Sequence, residues 1–130
     1  MVSELQYVTA AVLRARCHNV NSQDYSDASL DAIITRWEHN LHIELGRAIS
    51  APFLIAEDVY ETVQTAVKEG AASEVMFGYD ETKEDAQKAF DMYKYWIQKI
   101  QEATVTGVSG NQIAVNSDGP WQYGALGPQD

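Results

Sequence analysis

The sequence predicts an all-α protein: a small bundle of about four helices, one short and three long, followed by an extended, partly β C-terminal arm. Apolar residues recur at steps of three and four along the long stretches. Hydroxyl, acidic, glycine and proline residues stand where helix caps and breaks belong. After Thr104, glycine, proline and asparagine crowd together and end regular helix. A chain of 130 residues holds one core and buries roughly two-thirds of its unfolded surface, so a second independent core is not expected.

The first helix is signalled by Thr9 ahead of Ala10, Ala11, Val12 and Leu13, a hydroxyl placed to cap the first free amides, and it runs to about Cys17. The polar stretch from His18 to Asp27 reads as a loop closing on a cap at Ser26 or Asp27. Leu30, Ile34, Trp37, Leu41, Leu45 and Ala48 then form one helical stripe, which must stop near Ser50 because Pro52 follows. Glu57 and Asp58 open a third helix carrying Val59, Val63, Ala66, Val67, Gly70 and Ala71. Gly70 is worth about 1 kcal/mol less than alanine in a helix, so its position beside two alanines predicts a neighbour packed close to the backbone. After a turn at Gly78 to Asp80, Thr82 and Asp85 suggest a capping box for a fourth helix with Ala86, Ala89, Phe90, Tyr93, Trp96, Ile97 and Ile100 on its stripe. That helix is expected to end near Ala103, dividing a helical body, residues 1–103, from an arm, residues 104–130.

Acidic side chains outnumber basic ones 19 to 9, and the basic residues are scattered singly. Gripping a phosphate backbone needs concentrated positive charge, so tight nucleic-acid binding is not expected, nor is adhesion to anionic lipid. No apolar run approaches the ~20 residues of a membrane span. Cys17 is the only cysteine, which excludes an intrachain disulfide and a four-cysteine zinc site; it reads as a small core residue. The N-terminal residues lack the pattern of a secretory signal, and the product is expected in the cytoplasm.

No catalytic or metal-binding residue and no cofactor is predicted. His39 and His42 share one side of the second helix, beside Glu38 and Glu44, yet their spacing fits neither a zinc-protease helix nor a di-metal bundle and reads as a plain polar face. Adjacent Cys17 and His18 do not point at each other as nucleophile and base must. Gly107 to Gly110 has no lysine to make a phosphate loop, and Asp80, Glu81, Glu84 and Asp85 lack the spacing of a calcium loop. Trp37, Tyr93 and Trp96 are expected in the core. Ile113, Val115, Trp121, Tyr123 and Leu126, apolar residues in a glycine-rich arm, are predicted to anchor a neighbouring subunit or partner.

The order of elements, with Tyr7-Val8-Thr9, a short helix, a polar acidic loop, a long helix reaching Gly46-Arg47-Ala48, the Ala51-Pro52 break and two further helices, resembles the small head-to-tail connector (adaptor, or head-completion) proteins of tailed phages. The resemblance covers roughly residues 7–103 and includes a closing helix with Phe90, Tyr93, Trp96, Ile97 and Ile100. It implies a structural virion protein of the phage neck, made in the host cytoplasm. Copies would form a ring of about twelve between the portal protein and a tail or tail-completion protein. DNA would pass through without specific binding, and an acidic wall would repel its phosphates and let the duplex slide. A stand-alone helical protein-interaction module, or a metal-binding helical enzyme using His39 and His42, is the alternative; ring formation and metal content discriminate them.

Overall fold

The computed structural model describes residues 3–17 and 25–108. Helix α1, Ala10–Arg16, begins where Thr9 Oγ accepts from Val12 N at 3.2 Å and closes at Cys17. Helix α2, Asp27–Leu45, is capped by Ser26, whose hydroxyl accepts from Ser29 N at 3.1 Å. Ahead of the expected stop at Ser50, the chain leaves the helix at Gly46, which takes the left-handed conformation at φ +68°. Arg47 N then donates to His42 O and Gly46 N to Ile43 O, the paired bonds by which a glycine after the last helical residue satisfies orphan carbonyls. Pro52 therefore falls inside a loop already begun.

Helix α3, Tyr60–Phe77, lies at the centre. Ala66, Val67, Gly70, Ala71, Ala72, Ser73, Val75 and Met76 are all buried, so this helix is enclosed on nearly every side through its second half. Helices α1 and α2 pack on it and on each other. The neighbour predicted at Gly70 is the Trp37 indole: a Cβ there would lie 2.8 Å from Trp37 Cδ2, closer still to Cε3, and 3.0 Å from Tyr93 Cδ1. Trp37 stands edge-on to Tyr93 at 4.9 Å and to Phe90 at 6.2 Å between ring centroids, joining α2 to helix α4, Lys83–Val108.

A 3-10 turn, Asp80–Thr82, leads into α4. The Thr82 hydroxyl, expected to cap α4, donates at 2.7 Å to Met76 O and so closes the end of α3. Helix α4 continues past Ala103, through Gly107 to Val108. The chain divides into two compact units, Met1–Gln98 and Lys99–Asp130; within the second, Lys99 and Glu102 form an ion pair at 3.4 Å on α4. The described residues contain no strand, and no helix among them is long and apolar enough to cross a membrane. The strand expected at Gln112 to Asn116 lies outside the described residues.

Candidate functional site: a braced apolar loop

The second helix carries two buried stripes where its apolar spacing predicts one. Leu30, Ile34 and Leu41 are buried on the predicted stripe, but Asp31, Glu38 and His42 are buried as well. The segment Ser3 to Tyr7 covers Glu38 and His42 in this stripe, while Asp31 Oδ2 is buried without a partner among the described residues. Glu38 accepts from Ser3 Oγ at 2.8 Å, Leu5 N at 3.0 Å and Tyr7 N at 3.1 Å, which satisfies a carboxylate with no exposed surface. For the amides on either side of Gln6 to reach one carboxylate, Gln6 adopts a left-handed backbone at φ +59°, an arrangement of successive N–H groups that cradles an anion.

His42 is likewise fully buried, which corrects its reading as part of a plain polar face. His42 Nδ1 lies 3.1 Å from Ala48 O, which can only accept, so Nδ1 carries the proton of the neutral ring. Nε2 is then the acceptor and takes the Tyr7 phenol proton at 2.8 Å, while Phe53 N donates to the same phenol oxygen at 2.8 Å. Burial pushes the His42 imidazole below its ordinary range and the Tyr7 phenol above its own, in keeping with a neutral relay. His39, three residues earlier, points elsewhere and meets Glu4 at 2.8 Å. The two histidines do not converge, and among the described residues no group of three His, Cys, Asp or Glu side chains could hold a metal.

This relay braces the loop between α2 and α3 from beneath, and Arg47 braces it from the side. Arg47 Nε donates to Ala51 O at 2.6 Å, its terminal nitrogen donates to Pro52 O at 3.1 Å and meets Glu57 at 3.3 Å, and its guanidinium carbon sits 3.8 Å over the Phe53 ring. Glu57 also accepts from Leu54 N at 2.6 Å. Phe53 is thereby buried while the next two side chains are pushed out: Leu54 is 62% exposed and Ile55 82%. Leu54 and Ile55 thus project into solvent from a loop whose backbone is fixed at Ala51, Pro52, Phe53 and Leu54 by directed hydrogen bonds.

Beside the loop, a cleft of about 490 Å³ opens between residues 6–9, α1 and α3, with Gln6, Thr9, Val12, Glu61, Thr65 and Lys68 in its walls. Cys17 is buried, and loss of solvation pushes its thiol up to about 11, far from a reactive thiolate. Tyr93 is in the core as expected, whereas Trp37 and Trp96 are half-buried; Trp37 Nε1 donates to Glu74 at 2.8 Å. The predicted arm anchors Ile113, Val115, Trp121, Tyr123 and Leu126 lie outside the described residues. Sequence reasoning passed over Leu54 and Ile55, although Phe53-Leu54-Ile55 is an apolar run just after a proline in a short inter-helix segment, where one side chain finds cover and the others do not.

Fold and site together define an acidic helical bundle with a rigid apolar projection. Comparison with protein-family profiles, curated proteins and solved structures finds no match to this chain.

Proposed function

We propose that this protein works by assembly and not by catalysis, as a head-to-tail connector subunit in the neck of a tailed phage. In this reading copies form a ring that meets the portal protein on one side and a tail or tail-completion protein on the other, and DNA passes through the middle. The observation that carries it is the braced loop: Leu54 and Ile55 are held in solvent by the Tyr7–His42 relay and Arg47, an arrangement whose use is contact with another protein surface. The order of helices and the net charge of −10 support the more specific part, because a ring wall of like sign to DNA leaves the duplex free to slide.

The test is a search of the source genome for a portal gene, whose absence would overturn the reading, then co-expression with that portal protein and electron microscopy. A closed ring of this chain seated on the portal is the expected result. A chain that stays monomeric and never joins the portal would instead favour a stand-alone interaction module.

A further inference from the structure

Building on the reading of the chain as a ring subunit, we propose that the Leu54–Ile55 loop of one copy seats in the cleft between α1 and α3 of a second copy, with Asp58 of the first facing Lys68 of the second.

Two surfaces of the same chain are complementary in kind. The loop offers exposed Leu54 and Ile55, with Asp58 following and also exposed. The cleft offers an apolar wall at Val12, which is 46% exposed on α1, and has room for two aliphatic side chains. Charge selects the occupant. A chain of net charge −10 repels its own copies, so an unused cation facing an unused acid favours a contact between them. Arg14, Arg16, Arg36, Arg47, Lys94 and Lys99 are engaged with acids of their own chain. Lys83 also has a partner, which leaves Lys68 and Lys88 without an acidic one among the described residues; of these two only Lys68 lines the cleft, and Asp58 has no basic partner.

The cleft's own acid, Glu61, lies two helical turns from Lys68, about 10 Å along α3, so the cleft is polar lengthwise and sets the direction in which the loop enters. Because loop and cleft are different surfaces, the contact is heterologous: each copy uses its loop on one neighbour and its cleft on the other. Repetition with closure gives a ring.

Two full-length variants, Val12→Cys and Ile55→Cys, test the contact by mild oxidation and non-reducing electrophoresis. Both positions are exposed, and the native Cys17 is buried and does not compete. The equimolar mixture is expected to form a disulfide-linked dimer that neither variant forms alone. A dimer of Ile55→Cys with itself at the same yield would overturn the heterologous contact, and a mixture no more cross-linked than its components would overturn the contact altogether. Adding Lys68→Glu to the Val12→Cys chain is expected to lower the yield about fivefold, the scale of a surface ion pair, and Asp58→Lys on the Ile55→Cys chain to restore it. An unchanged yield would remove Lys68 from the interface. Rings on the portal without the Val12–Ile55 disulfide would sink this interface and leave the connector reading standing; the disulfide without portal rings would do the reverse.

Discussion

His42 is the residue on which the polar side of the fold turns. Its folded pKa is lowered by burial from the ordinary 6.5. As pH falls through 6.5 the unfolded chain therefore takes up a proton that the folded chain refuses, and stability declines until pH passes below the folded value. Urea denaturation midpoints are expected to fall between pH 8 and pH 5, with a shallower fall in His42→Gln, which keeps an acceptor for Tyr7 but does not titrate. Tyr7→Phe deletes the hydroxyl at the centre of the relay and leaves Phe53 N–H and His42 Nε2 buried without partners. It should cost about 2 kcal/mol in the same measurement. None of this was legible in the sequence, where a histidine between Leu41 and Ile43 is indistinguishable from a solvated one: its partners lie 35 residues upstream at Tyr7 and six downstream at Ala48.

At the scale of elements the sequence was far more informative, because caps and apolar periods act locally. Thr9 and Ser26 cap α1 and α2 as their position implied, and Gly70 leaves room for the Trp37 and Tyr93 rings against the α3 backbone. Gly70→Ala improves helix propensity by about 1 kcal/mol but drives a methyl group into the Trp37 ring, which is fixed between Glu74 and Tyr93. Overpacking of this kind costs about 1 to 3 kcal/mol, so a lowered melting temperature is expected despite the better helix former. Where the reading of elements missed, a specific competing interaction decided: Gly46 ended α2 ahead of Pro52, and Thr82 was drawn to the end of α3. Glu38→Ala probes the contact between the N-terminal segment and α2. Removing the acceptor of three hydrogen bonds should cost at least ~2 kcal/mol and make the Ser3–Tyr7 segment a site of limited proteolysis.

Over the whole molecule, the exposed loop is separable from the core. Leu54 and Ile55 contribute little to the core, so the double variant Leu54→Asp/Ile55→Asp should change unfolding free energy by no more than about 0.5 kcal/mol per site; if the proposed ring forms, the same variant should abolish it. A large loss of stability would instead mean that the loop belongs to the core. The acidic helical body could be read from composition and periodicity; the braced loop could not, because its exposure depends on Phe53 alone finding a place beneath Arg47. The carboxylate of Glu38 and the hydroxyl of Tyr7 also impose an order on the making of the chain. Residues 3–7 leave the ribosome ahead of every group they bind, with Glu38 lying 31 residues after Tyr7 and Phe53 46 residues after it. The segment must wait, unfastened, until α2 and the following loop have emerged, and Phe53 N–H gains its phenol acceptor only when that early stretch has folded back.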